Sequence, residues 1–403
     1  MQVRSQDFFK FTGFHSALIG LLPFFLPVIL WQQGYNLSEI CIFISLTGVG
    51  FIATLWGWDR LRERNSWKTI IAASFGLELL LVALIATTPT SFFIILLALL
   101  NGAYNCFYWS SQRAMLSNIS SSKDSGKTYG NFQILVVVLL KLGILAGGII
   151  IEEVGLWAIA ALTAITSVIA IASFGIFTKS KDSLQQPSLD DSSKALTFKD
   201  IIGFKDNNRS RLTFLLDGPF LYLESYFWVL SVYLITDESP SKLALVVVIL
   251  ALLLSALFFV IKNKIDQADQ RLCFQLALIL YSASWLLRSY TSTESSEFIL
   301  YSLLIVIGFF TSFFRLVFNK RFYDLAEQTA TYQYLIIKSY YSQFGIVLFF
   351  GALGWLLNSS ASIESLLSNT YLWIAPFALG FVFYRPRNAT IHLTHKFTRT
   401  GNA

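Results

Sequence analysis

Twelve runs of mostly apolar residues, eleven of them about 20 or more residues long and the last about 16, govern what this chain can fold into. A helix needs about 20 consecutive apolar residues to cross a bilayer. The first six runs cover approximately residues 12–33, 37–58, 68–88, 91–117, 129–152 and 155–178. The last six cover approximately 210–236, 241–262, 272–291, 297–320, 331–357 and 370–385. Backbone polar groups in hydrocarbon need partners within their own segment, so each run reads as a helix. Barrel strands would alternate in short units, which these runs do not. The chain is 55% hydrophobic and 13% charged, against roughly 25% charged residues in soluble domains. The expected fold class is an all-α polytopic membrane protein with twelve transmembrane helices.

Charge supplies the orientation. The turn after the second run, Gly57 to Lys68, carries Arg60, Arg62, Arg64 and Lys68. Lys and Arg accumulate in cytoplasmic loops. With that turn inside, all of the 30 Lys and Arg fall in cytoplasmic segments or adjoining helix ends except Lys141, Lys242, Arg288 and Lys338. External loops and their borders hold Lys242 and Arg288, beside the acids Glu152, Glu153, Asp237, Glu238, Glu294, Glu297 and Glu364. Both termini are therefore expected on the cytoplasmic side. The net charge of +6 follows from this bias; with no basic patch or stripe, a nucleic-acid partner is not expected. Residues Met1 to Lys10 lead directly into a full span, so the first helix is expected to serve as an uncleaved insertion signal. Cys41, Cys106 and Cys273 lack metal-ligand spacing and read as packing residues.

Residues 179–209 are long, polar and rich in Ser, Asp and Lys, whereas the other runs are joined by short turns. The expected organisation is an N-terminal six-helix half (1–178), a cytoplasmic linker (179–209), a C-terminal six-helix half (210–385) and a basic cytoplasmic tail (386–403). Within the linker, Thr197 to Phe204 reads either as a short amphipathic surface helix or as plain linker. The halves repeat weakly. Gly102 corresponds to Gly308, Lys141-Leu142-Gly143-Ile144 to Gln343-Phe344-Gly345-Ile346, and Gly20 and Pro23 to Gly218 and Pro219. The agreement of the offsets implies a parallel duplication.

Two six-helix halves, a central linker and a charged turn after the second span resemble the major facilitator superfamily. That family's turn reads Gly-x-x-x-Asp-Arg-x-Gly-Arg-Arg. This chain matches it with Asp59, Arg60 and Arg64, and departs with Leu55, Arg62 and Glu63 at two glycine positions and one basic position. The resemblance implies that Asp59 lies by the inner end of the eleventh helix and helps latch the cytoplasmic side shut. It also implies that spans one, four, seven and ten line a central cavity, flanked by two, five, eight and eleven.

Charges inside spans are costly, at least ~2.5 kcal/mol near the bilayer centre, and face a cavity or a partner. Glu78, Lys141, Asp217, Glu224 and Lys338 are such residues, with Arg113 and Arg315 nearer the ends of spans four and ten. Asp217 and Glu224 are seven apart and share one helix face. Polar stripes run through Asn101, Asn105, Tyr108 and Gln112; through Gly308, Thr311, Arg315 and Asn319; and through Tyr334, Lys338, Tyr341 and Gly345. Each has a plain alternative: Arg113 can snorkel, Glu78 can be a structural acid, and a lone His15 is more often structural.

The expected machine is a secondary transporter driven by the proton gradient, with no cofactor, metal or catalytic residues. Asp217 and Glu224 are the expected proton-coupling residues. Lys141, Arg315, Lys338, Asn105, Tyr108, Gln112, Tyr334 and Tyr341 are the expected substrate contacts, and Asp59, Arg60 and Arg64 the gate. The expected partners are protons, membrane lipids and a small organic molecule with an anionic and an aromatic or apolar part, with the chain acting as a monomer. Export across a bacterial-type inner membrane is favoured, with uptake of an organic anion as the rival. A membrane enzyme is poorly supported: of three histidines, two (His392 and His395) are in the tail. A non-transporting receptor stays open.

Overall fold

The computed structural model describes residues 5–64, 66–86, 93–119, 125–175, 194–206, 208–267, 269–291, 296–327, 331–357 and 362–384. Among them there are helices and no strands. Twelve helices are long and apolar enough to cross a membrane: Gln6–Gln32, Leu37–Glu63, Trp67–Ile85, Phe93–Leu116, Ile134–Glu153, Leu156–Ser173, Ser210–Ile235, Pro240–Phe258, Arg271–Ser289, Glu297–Ala326, Tyr332–Leu356 and Ile363–Phe383. They are spans 1 to 12 below. The expected tail 386–403 and most of the linker, 179–193, lie outside the described residues.

Local chemistry sets several helix ends. Asn36 accepts from the Glu39 amide at 3.0 Å while the Glu39 carboxylate accepts from the Asn36 amide at 2.8 Å, a reciprocal cap that starts span 2. Asp269 starts span 9 by accepting the amides of Arg271 and Leu272. The linker forms a helix at Phe198–Gly203, with Thr197 and Asp200 making the same kind of reciprocal cap. Span 1 narrows to a single tight turn at Pro23–Phe25, and span 7 widens to a π turn at Leu223–Phe227 just after Pro219. Proline lacks the amide that an α-helix needs, so these distortions fall where the sequence places it.

Glycines decide how the spans cross. A Cβ on Gly20 would collide with the Leu140 carbonyl, and one on Gly143 with the Ala17 carbonyl. In the second half, a Cβ on Gly218 would collide with the Ser342 carbonyl, and one on Gly345 with the Leu215 carbonyl. Spans 1 and 5 therefore cross backbone to backbone, and spans 7 and 11 cross in the same register. Close approach of small residues is how helices associate in lipid, where there is no hydrophobic drive between them. The other matched pair behaves differently. Gly102 lies against the backbone of span 2 at Thr47 and Phe51, whereas Gly308 meets only the side chain of Leu254 on span 8.

Spans 2 and 11 join the halves along their length. Ser38 donates to the Gly354 carbonyl at 2.5 Å, and Ser45 to the Val347 carbonyl at 3.0 Å. Gly48 faces Gln343 and Val347. Spans 5 and 8 form a second junction at the end opposite the Arg60 turn. There Gly148 meets Pro240, and the Glu152 carboxylate accepts from the Ser241 amide at 2.9 Å.

The crossings give a test of packing. Gly143→Leu and Gly345→Leu should each destabilise the detergent-solubilised protein by ~1–3 kcal/mol or more, as overpacked cores do. Gly57 and Gly76 have open space where a Cβ would go, so Gly57→Ala and Gly76→Ala should leave the thermal midpoint unchanged or raised.

Candidate functional site

The most concentrated charge in the described fold lies in the second half. Arg315, on span 10, extends its guanidinium toward span 7. Its Nε and Nη2 donate to the two carboxylate oxygens of Glu224, both at 3.0 Å, and its Nη1 donates to Asp217 at 2.6 Å. Two parallel bonds to one carboxylate make the strong, geometry-specific form of this pair. The Lys338 ammonium, from span 11, reaches the other Asp217 oxygen at 3.1 Å. Tyr281, from span 9, donates its hydroxyl to Glu224 at 2.5 Å and lies face to face with Phe314 at 4.0 Å. Asp217 is 1% exposed, and Arg315 and Glu224 are each 16% exposed at the side chain.

Backbone architecture explains the convergence. Asp217 immediately precedes Gly218, the residue that brings span 7 against span 11, so its carboxylate comes within reach of Lys338. Glu224 sits in the π turn, and such turns re-aim side chains at functional sites. Arg113 reaches across from span 4 and donates to Ser339, next to Lys338, at 3.0 Å. Three cations (Arg113, Arg315, Lys338) thus stand near two carboxylates, leaving one positive charge in excess.

The other expected substrate contacts are dispersed. Asn105 donates to Asn101, which in turn donates to Tyr226 of span 7 at 3.2 Å and so spans the two halves. Tyr108 is 1% exposed, takes a hydrogen bond from Gln112, and packs on His15 inside the first half. Tyr334 shares hydroxyl contacts with Ser210 at 2.7 Å and Tyr384 at 3.0 Å. Tyr341 donates to the Ile201 carbonyl of the linker helix at 3.0 Å, away from the charge cluster. Lys141 is half-buried on span 5, and among the described residues no carboxylate pairs with it.

At the other candidate site, Asp59 accepts from Tyr332 at the start of span 11 at 2.7 Å, from Arg62 at 2.9 Å, and from the Leu196 amide of the linker at 3.0 Å. The Arg62 guanidinium covers the Tyr332 ring at 3.8 Å, so the arginine at a glycine position of the family turn becomes part of this contact. Arg60 stacks over Trp56 at 4.1 Å instead. Arg64 is the exposed C-cap of span 2, its amide donating to the Arg60 carbonyl at 3.1 Å.

The sequence reading missed two features. Arg288 was expected at an external border, yet it is 2% exposed; its guanidinium donates to Ser284 and Thr311 and lies 4.2 Å from the Trp285 ring. Its position at a helix end hid this burial. His15 and Glu78 lie on different spans and meet at 2.9 Å, a pairing that spacing within one helix cannot show.

Comparison with known proteins decides the family. The model of the Major Facilitator Superfamily matches residues 11–332. The chain belongs to that superfamily. No curated protein matches it. Among solved structures, a mutant of the nucleoside transporter NupG is similar at 14% identity, with a TM-score of 0.65, 94% of this chain and 98% of that one covered. A structure concerned with substrate recognition in proton dependent oligopeptide transporters is similar at 10% identity, with a TM-score of 0.66 and coverage of 94% and 97%. A bacterial homologue of the human drug peptide transporters PepT1 and PepT2 is similar at 10% identity, with a TM-score of 0.64 and coverage of 94% and 96%. At these identities the likeness is one of fold. The superfamily makes the chain a multi-pass membrane transporter and not an enzyme.

Breaking a buried ion pair by removing one partner costs ~3–5 kcal/mol, because a charge is left uncompensated. Arg315→Gln should therefore lower the unfolding midpoint sharply. Adding Glu224→Gln to it should recover most of that loss, since Asp217 keeps Lys338 as its partner, and a double variant no more stable than Arg315→Gln would contradict the assignment.

Proposed function

We propose that the chain is a proton-coupled secondary transporter for a small organic anion. Asp217 and Glu224 carry the coupled protons, and Arg315, Lys338 and Arg113 receive the anionic group. One observation carries the reading: Arg315 binds both carboxylates at once, so its donors are occupied while both acids are ionised. An incoming carboxylate or phosphate must compete with Asp217 and Glu224 for those donors. Protonating either acid removes a competitor. Anion binding in turn withdraws the cation that keeps the acid ionised. Each ligand thus strengthens the binding of the other, by the same factor in both directions.

Proton and anion then load together from the same side, which is symport. The same-side loading favours uptake, the rival of the export expected from the sequence. The excess cation contributed by Arg113 favours an anionic cargo, and Tyr222 and Tyr226, stacked at 5.2 Å on span 7, offer an aromatic face for its apolar part. Solved structures of like fold include proton dependent oligopeptide transporters, whose proton dependence accords with this reading. The basic turn favours an orientation with the Asp59 end and both termini on the cytoplasmic side, in a chain read as halves 1–178 and 210–385 joined by residues 179–209 in a bacterial-type plasma membrane. Asp59, Arg62 and Tyr332 form the inner latch. The halves rock about the central cluster, as in transporters built from repeats.

The test uses purified protein and a panel of mono- and dicarboxylates, nucleotides and acidic peptides. Anionic compounds should raise the thermal midpoint more at acidic than at neutral pH. In proteoliposomes, an inward proton gradient should concentrate the best of them. Asp217→Asn and Glu224→Gln should keep binding but lose uphill accumulation. If both variants retain wild-type, pH-driven accumulation, or if only cationic compounds bind, the reading is wrong.

A further inference from the structure

A second set of titratable groups is sealed inside the first half. His15 of span 1 and Glu78 of span 3 are both 0% exposed, and His15 Nδ1 lies 2.9 Å from Glu78 Oε2. That contact is close but lacks hydrogen-bond alignment. Tyr104 of span 4 donates to the other Glu78 oxygen at 3.0 Å. Ser74 of span 3 lies 2.9 Å from His15 Nε2, on the far side of the ring. Phe75 stacks flat on the imidazole at 4.1 Å, and Phe11 and Tyr108 close the remaining sides. Four polar groups from three spans thus form one chain, Ser74–His15–Glu78–Tyr104, inside an aromatic box.

The facing groups are few. Span 1 adds Phe11 and Ser16, span 3 adds Ser74 and Phe75, and span 4 adds Tyr104 and Tyr108. Span 6 packs Phe174 on Phe75 and has no charged residue between Leu156 and Ser173. Lys10 on span 1 is exposed, and Arg113 on span 4 is engaged with Ser339. The pair is therefore left to balance its own charge. With one proton shared between the imidazole and the carboxylate it is neutral overall. A second proton would leave it with a net positive charge, which is expensive in a dry box and much cheaper once water enters. Its proton occupancy is thereby tied to whether spans 1, 3 and 4 stay packed together.

From this we infer that His15 and Glu78 form a second protonation site in the first half, separate from Asp217 and Glu224. The pair holds one proton while the half is closed. It takes up another when the spans open to water, and closure expels that proton. The inference rests on the reading of the chain as a proton-coupled transporter. It adds a site on spans 1 and 3 that works without contact to the anion. Span 1 connects it to the other half, since its Gln32 donates to Tyr233 of span 7 at 2.8 Å.

The test measures protons and needs no substrate. Full-length protein in proteoliposomes on a solid support is given a pH jump, and the transient charge movement is recorded. Wild type should show two components. Glu78→Gln and His15→Gln should each lose one component and keep the other; Asp217→Asn with Glu224→Gln should show the reverse pattern. Unchanged charge movement in both Glu78→Gln and His15→Gln overturns the second site and leaves the first intact. Loss of all movement only in the first-half variants would instead sink the proposed role of Asp217 and Glu224. A second measurement leaves the pair undisturbed. With His392→Gln and His395→Gln, His15 is the sole histidine, and its isotope-labelled imidazole signal should change when the proteoliposomes are taken from neutral to acidic pH. A signal constant over that range overturns the inference, whatever the fate of the variants.

Discussion

Two helix backbones can touch only where no side chain stands between them, and the charge chemistry of this protein depends on that contact. Gly218 and Gly345 let span 7 sink against span 11 until a Cβ at either would strike a carbonyl. Asp217, one residue before the crossing, then comes within an ion-pair distance of Lys338. A bulkier residue at the crossing would lift span 7 away and separate those charges. The same register at Gly20 and Gly143 fixes span 1 against span 5, and so sets the platform from which His15 reaches Glu78. Small residues drive the packing, and the packing decides which buried charges meet.

The cluster around Arg315 has two faces, one structural and one functional. A guanidinium shared by two carboxylates compensates charges that are expensive in hydrocarbon. In the proposed function it also ties proton binding to anion binding, since either ligand loosens the hold of the other's competitor. The contacts of Asp59 lie apart from this cluster and are of a weaker kind: a tyrosine hydroxyl, a backbone amide and one arginine. Span 11 carries both Tyr332 and Lys338, so the proposed latch and the cluster share one helix.

Much of this was legible from one dimension. Twelve apolar runs and a one-sided distribution of Lys and Arg imposed a helical membrane protein, because lipid leaves backbone amides no other partner. Helical spacing singled out Asp217 and Glu224, and half-chain offsets matched Gly20 with Gly218 and Gly143 with Gly345. Spacing alone overreached at Tyr341, which lies on a polar stripe with Lys338 yet faces the linker helix. A stripe tells which face avoids lipid and says nothing of which neighbour covers it. Arg288 went the other way: residence at a helix end suggested solvent, and Trp285, Ser284 and Thr311 enclose it.

By itself, then, the sequence determined class, span number and family turn, since hydropathy and charge act locally along the chain. Tertiary structure alone decided which charges pair. Arg315 bridging Asp217 and Glu224, Lys338 completing Asp217, and His15 meeting Glu78 across spans 1 and 3 all require the distance between helices far apart in sequence. That distance is set by backbone crossings whose depth depends on glycines in both partners at once. No single stretch encodes it.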